Sequence, residues 1–344
     1  MKLPIASLSI AARATLDMHS LNNEGGEGNQ IQTRMVDIVG ADARMHNVNA
    51  ISGDMLKHIQ CRHFFNIARR TGLPLCAGCK MFDANRINAD HTWITQIPKT
   101  DRGAISALLG HCALDDVAGT FITAGGATGK RAIKRDSVVE FGWGLGLPAL
   151  VQTEQHFHVK YAAERNREQI LADATAREQE GSNLGQAIFH RPASSGIYAL
   201  VCHLEVGRVG YNDIAQTYAL DKKGRTSRAK ALLQSVLYTF LELNGAMRNT
   251  QLPHLVALQG VITLSQSGDI PAPLISPLAG GWERPQFYME EAQSVASELR
   301  RTNGPLVECR PFEAISDFAE YLGELIDRVV PAALIESEGE SHED

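Results

Sequence analysis

Arg13-Ala-Thr-Leu-Asp-Met-His-Ser-Leu-Asn-Asn-Glu-Gly-Gly-Glu-Gly-Asn29, followed after residues 30–48 by Asn49-Ala-Ile-Ser-Gly-Asp-Met-Leu-Lys-His58, is the part of the chain from which the fold reads outward. A strand-like segment passes into a Gly/Asn loop and then into a helix that opens on Ser52-Gly53. Ser52 can accept a hydrogen bond from a first-turn N–H, and Gly53 lets a ligand come close to the backbone. Asp54, Lys57, His58, Cys61 and Arg62 recur at i, i+3, i+4 spacing and share one face, while Leu56, Ile59, Phe64 and Ile67 fall mainly on the other. Backbone N–H groups and cations gathered at a helix start are a way to hold a phosphate backbone. Candidate contacts are therefore Asn22, Asn23, Gln32 and Arg34 in the loop region, and Ser52, Gly53, Asp54, Lys57, His58 and Arg62 at the helix start. The same pattern also describes a capped amphipathic helix with ordinary surface charges, so other segments must decide.

With 344 residues, 44% of them hydrophobic and 21% charged, the chain can bury a sizeable core, as one elaborated domain or two small ones. No run of about 18 apolar residues exists, and the N-terminus lacks a basic region followed by an apolar stretch and a cleavage site, which predicts neither membrane insertion nor secretion. Six cysteines in no dense framework fit a reducing cytoplasm. The net charge of −6 argues weakly against a nucleic-acid partner, but Glu336, Glu338, Glu340, Glu343 and Asp344 put five acids in the tail. The opposite sign concentrates in Lys130, Arg131, Lys134 and Arg135, either a solvated loop or a phosphate contact.

Leu8, Ile10, Ala12, Ala14 and Leu16 alternate with Ser7, Ser9, Ala11, Arg13 and Thr15, which predicts a half-buried strand. Residues 198–206 and 256–264 read as two more strands. Between them Ala229, Leu232, Leu233, Val236, Leu237, Phe240 and Leu241 recur at helical spacing. Strand, helix, irregular middle, strand, helix, strand is the skeleton of a ferredoxin-like α+β domain with a large insertion. The insertion holds a Gly-rich basic hairpin candidate, 124–135 with 138–143, and a charged helical stretch at 162–180. Prolines 271, 273 and 277 break the chain before a final helical segment at 315–330.

Ala124-Gly-Gly-Ala-Thr-Gly-Lys-Arg131 fails as a Walker loop, because Ala124 stands where that motif needs Gly and Arg131 where it needs Ser or Thr. Gly125 and Gly126 beside Lys130, Arg131, Lys134 and Arg135 still suit close approach to a nucleic-acid backbone. Cys76-Ala-Gly-Cys79 has metal-ligand spacing but is half a site; Cys61, His63, His91, His111 or Cys112 could complete a structural zinc, or the thiols could simply be reduced and buried. Gln155-His-Phe-His158-Val-Lys160 puts His156, His158 and Lys160 on alternate positions, which is a polar strand edge or a second contact. Gly245 and Arg248 follow the strong helix, as a cap or as another phosphate contact. No Ser-His-Asp, paired-carboxylate or HExxH pattern occurs.

Taken in order, these motifs resemble the Cas-seven backbone subunit of type I CRISPR Cascade, in its DevR-like, archaeal-type branch of the RAMP superfamily. The likeness rests on His19-Ser-Leu-Asn-Asn-Glu-Gly25, Val48-Asn-Ala-Ile-Ser-Gly-Asp-Met-Leu-Lys-His58, Leu73-Pro-Leu-Cys-Ala-Gly-Cys79 and Leu114-Asp-Asp-Val-Ala-Gly-Thr-Phe121 with Gly125-Gly126. It continues through His156-Phe-His158 and Ser194-Ser-Gly-Ile-Tyr-Ala-Leu200. The resemblance implies a right-hand shape: an RNA-recognition-motif-like palm (1–71 and 196–330), inserted fingers (72–151), a thumb (152–195) and an acidic disordered tail (331–344). It further implies copies lined up along one CRISPR RNA, held by its backbone and presented for pairing with target DNA, beside other Cascade subunits (Cas-five, Cas-six, large and small), with no catalysis and no required cofactor. The alternatives are an RNA-cleaving type III-like subunit, using Asp17 or Asp37, and a zinc-stabilised interaction module.

Overall fold

The N-terminal alternating segment forms the Ser7–His19 strand, at the middle of the main sheet. The computed structural model describes residues 2–28, 30–123, 132–161, 186–243, 245 and 249–334. Across the sheet the strands run Val307–Phe312, His254–Ser265, Ser7–His19, Gln186–Leu204, Gly144–Tyr161, Met45–Ile51 and Met35–Val39, each antiparallel to its neighbour. Val139–Phe141 pairs with Cys202, His203 and Leu204, on the side where Gly144–Tyr161 continues. In chain order the centre reads Ser7–His19, helix Gly53–Thr71, the Val139–Phe141 and Gly144–Tyr161 segment, Gln186–Leu204, helix Lys222–Leu241 and His254–Ser265. In space those four strand positions lie in the order fourth, first, third, second. The chain is α+β, as its patterning predicts.

Local chemistry sets the helix ends. Ser52 caps Gly53–Thr71, and Gly72 ends it at φ 74°, a left-handed conformation open to glycine, with its N–H donating to the Ala68 carbonyl. Asp221 caps Lys222–Leu241 by accepting from the Gly224 N–H at 2.7 Å. Both helices bury their apolar stripes with Ile10, Ala12, Ala14 and Leu16 in one continuous core.

The central strand is not half-buried, because the other face is covered too. Ala11 packs with Val261, Tyr288, Met289 and Ala292, the last three on the Phe287–Asn303 helix. Ser9 Oγ donates to the Ala272 carbonyl at 3.0 Å. Arg13 donates to the carbonyls of Pro277 at 2.7 and 2.9 Å, Ala279 at 3.3 Å and Gly281 at 2.8 Å, with the Tyr288 ring 5.2 Å away. Burial lowers the Arg13 pKa, and the carbonyls replace the water it has lost. The proline-rich segment has no periodicity that would announce it as a cover.

Two further expectations need correction. Residues 138–143 do not form the second half of a basic hairpin; Thr120–Ile122 pairs with Ile133–Arg135, and Val139–Phe141, within the 72–151 range given to the fingers, belongs to the main sheet. The tail does not begin at residue 331: Val329–Pro331 pairs in parallel with Leu3–Ile5, Arg225 donates to the Ala332 carbonyl at 2.9 Å, and the Leu334 N–H donates to Tyr218 Oη at 2.9 Å. Pro331 and Ala332 are apolar and buried, whereas the acids start at Glu336. The remaining tail, 335–344, and the charged stretch 162–185 lie outside the described residues. No helix among the described residues is long and apolar enough to cross a membrane.

Candidate nucleic-acid interface

The Gly/Asn loop and the helix start, separate in sequence, are latched together. The Ser52 N–H donates to Asn22 Oδ1 at 3.1 Å, and Ser52 Oγ accepts from the Met55 N–H at 3.2 Å. The Asn22 carbonyl accepts from Thr33 Oγ1 at 2.9 Å and from the Arg34 N–H at 3.3 Å, and Ser20 Oγ donates to Asn23 Oδ1 at 2.9 Å. Gly245 joins them: a Cβ built there would stand 2.6 Å from the Leu21 side chain. Gly245 therefore meets the first loop, with Arg248 outside the described residues. Gln32 is exposed on the neighbouring Gln30–Thr33 strand.

Gly53 has a packing reason besides the close ligand approach expected from the sequence. A Cβ at this position would lie 2.5 Å from the Phe141 carbonyl, so the absent side chain lets the helix sit against the sheet strand. Gly53, Asp54 and Lys57 line one wall of an open cleft of about 1180 Å³. Across it stand Arg86, Lys134 and Arg208, together with the exposed rings of Phe121 and Trp143. Arg34 lies over the Trp143 ring at 5.0 Å and pairs with Glu24. Burial lowers the Lys57 pKa, and the acids Asp54 and Glu140 partly restore it. His58 meets the Phe82 ring edge-on at 5.6 Å, and Arg62 covers the same ring at 4.4 Å. Arg86, Phe121 and Arg208 were not legible as cleft residues; Trp143 between Gly142 and Gly144, an aromatic left standing where its neighbours have no side chain, was the one available signal.

The basic run is not uniformly a contact surface. Arg135 is fully buried and donates to Asp116 Oδ1 at 2.9 Å, Asp213 Oδ2 at 2.8 Å, and the Arg208 and Tyr211 carbonyls at 2.8 and 2.9 Å. Arg228 reaches the other oxygen of Asp116 at 2.7 Å, and the Gly210 N–H also donates to it. A carboxylate buried at 116 requires such partners, and the forked guanidinium supplies them. Arg135 is thereby removed from the candidate contacts. Lys134, 70% exposed and paired with Asp136 at 2.5 Å, stays on the surface, while Gly125, Gly126, Lys130 and Arg131 lie outside the described residues.

Gln155, His156 and His158 sit on Gly144–Tyr161, in register with Pro192, Arg191 and Phe189 of Gln186–Leu204. Gln155 donates to the Ile31 carbonyl at 3.1 Å and ties this long hairpin to the loop region. The exposed Phe157 meets His190 edge-on at 5.7 Å. The Lys160 side chain lies outside the described residues.

Cys76 and Cys79 come together with Cys112 and Asp115. All four are buried, and one donor atom from each lies within 4.8 Å of the others. Asp115 was missed in the sequence, although Cys112 and Asp115 have the i, i+3 spacing of one helical turn. His63 instead packs edge-on to Tyr238 at 5.8 Å, and His111 pairs with Asp90 at 2.9 Å. Burial and the Cys112 side chain push the Asp115 carboxyl up to about 8.

The family model for the CRISPR-associated negative auto-regulator DevR/Csa2 matches residues 10–280. A CRISPR-associated protein Cas7/Cst2/DevR of Methanocaldococcus jannaschii is 24% identical over 342 residues, covering 94% of this chain and 98% of its own. A CRISPR-associated aCascade subunit Cas7/Csa2 of Saccharolobus solfataricus is 24% identical over 290 residues, covering 77% and 82%. Among solved structures, a chain of a CRISPR RNA-guided surveillance complex, pre-nicking, aligns at TM-score 0.45 and 12% identity, over 88% of this chain and 90% of that one. With most of its length matched by that model, the chain belongs to the DevR/Csa2 family of CRISPR-associated proteins.

Proposed function

We propose that this chain is a non-catalytic, multi-copy CRISPR RNA-binding subunit of a Cascade-type complex. It would hold the guide along its phosphates and leave the bases to pair with target DNA, next to further copies of itself and the other Cascade subunits in the cytoplasm. The four central strand positions with their two helices serve as the RNA-recognition-motif-like palm, residues 72–138 as fingers, and the hairpin around 152–195 as thumb. The observation that carries this reading is the latched helix start opening on a cleft that combines cations with exposed aromatic rings. Cations bind phosphates without reading sequence, and rings accept any base. Among the described residues the one His/Cys/Asp/Glu group with metal-holding geometry is the cysteine cluster, which contains neither Asp17 nor Asp37.

Expression with a CRISPR array followed by purification should yield a discrete co-eluting RNA, and the loaded complex should leave complementary RNA intact in the presence of a divalent metal. Protein free of RNA, or regular cuts in the added strand, would overturn the reading. Lys57→Ala is expected to lower the salt dependence of RNA binding by about one phosphate contact with an unchanged melting temperature. Lys134→Ala should do the same and shift stability by no more than about 0.5 kcal/mol, since its ion pair is exposed. An unchanged salt slope in both variants would place the RNA elsewhere.

A further inference from the structure

We propose that Cys76, Cys79, Cys112 and Asp115 form a closed tetrahedral zinc site that fixes the inserted helices to the wall of the cleft. Three observations converge on this. The first is the donor set: three thiols and a carboxylate, all buried, with donor atoms within 4.8 Å of one another. Zinc bonds of ~2.3 Å put tetrahedral donors about 3.8 Å apart, so closing the cage needs shifts below an ångström. Thiolate-rich sites favour zinc over the harder divalent cations, and four protein ligands leave no open position for chemistry.

The second is Asp115 itself. Its Oδ2 accepts from the thiols of Cys76 and Cys79 at 3.4 and 3.5 Å, but its Oδ1 has no hydrogen-bond partner although the residue is fully buried. A buried carboxyl oxygen in such a place needs a polar or cationic partner. A zinc ion bonded to that oxygen would be the partner, with the ligand protons released to solvent.

The third is the way the surrounding backbone holds the ligands. The Cys79 N–H donates to Cys76 Sγ at 3.3 Å, and the Ala113 N–H donates to the Pro74 carbonyl at 2.8 Å, joining the two ligand-bearing segments. Asp90 accepts from the Ala77 N–H at 2.9 Å and from His111, bracing the same turn. Such outer contacts orient metal ligands. Asp116, next in the chain, receives Arg135 and Arg228, so an ion on Cys112 and Asp115 would also steady the Ile133–Arg135 strand that carries Lys134.

The test uses the full-length chain, purified without chelator and stripped of nucleic acid, so that its outcome is independent of RNA binding. Elemental analysis should find one zinc per chain. Cobalt exchanged into the protein should show tetrahedral visible bands and a sulfur-to-metal charge-transfer band of three thiolates. Cys112→Ser should reduce that band by one thiolate's share, Asp115→Asn should keep the band while binding metal more weakly, and Cys202→Ser, away from the cluster, should change nothing. Removal of zinc should speed hydrogen exchange at residues 112–118 and 133–135. If the substituted chains do not fold, the wild-type protein decides alone. Failure to carry zinc and to take up cobalt after reduction, a disulfide revealed by fewer than six titratable thiols in denaturant, or a full charge-transfer band in Cys112→Ser would each overturn the proposal.

Discussion

Asp116→Ala is expected to lower the unfolding free energy by about 3–5 kcal/mol, the largest effect of any single substitution considered for this chain. Asp116 is fully buried and accepts from Arg135 at 2.9 Å, Arg228 at 2.7 Å and the Gly210 N–H at 3.1 Å. Truncation leaves two buried guanidinium groups facing each other without their shared counter-charge. Arg135 keeps Asp213 and three carbonyls, that of residue 116 among them, so Arg228 bears most of the loss. Denaturant unfolding followed by circular dichroism measures the effect, with Lys134→Ala as the neighbouring exposed control. A loss below about 1 kcal/mol would mean that water reaches the cluster. Neutralising Lys134 and Arg135 together would confound an RNA-binding experiment, since loss of the buried Arg135 destabilises the wall that displays Lys134.

Trp143→Ala is expected to weaken single-stranded RNA binding by about 1–3 kcal/mol, or roughly 5- to 150-fold, for the loss of one stacked base. The indole is 41% exposed at the cleft, with Arg34 over its ring, so its removal should cost little folding free energy. Because every base has a face to stack, the loss should be the same across guide sequences. Titration of labelled RNAs of different composition, at constant salt, provides the check. Trp143→Phe should recover most of the affinity if stacking is the interaction, whereas equal loss in both variants would assign the indole to packing against Arg34 alone. A sequence-dependent loss would contradict backbone-directed binding.

Periodicity carried the helix Lys222–Leu241, the strands centred on Ser7–His19 and His254–Ser265, and the cap at Ser52, because each depends on neighbours within a turn or two of chain. The likeness to the DevR family was also legible, since a series of short motifs in order survives where overall identity is low. Tertiary structure alone decided which charges are contacts and which are struts. Arg135 and Lys134 are adjacent and look alike in sequence, yet alternation on the Ile133–Arg135 strand turns one to a buried aspartate and the other to solvent. Asp115 joins cysteines 36 and 39 residues away, and the covering of Arg13 comes from carbonyls more than 260 residues along the chain. Local patterning determines how each segment folds; burial and partner choice depend on contacts between segments that no window of sequence contains.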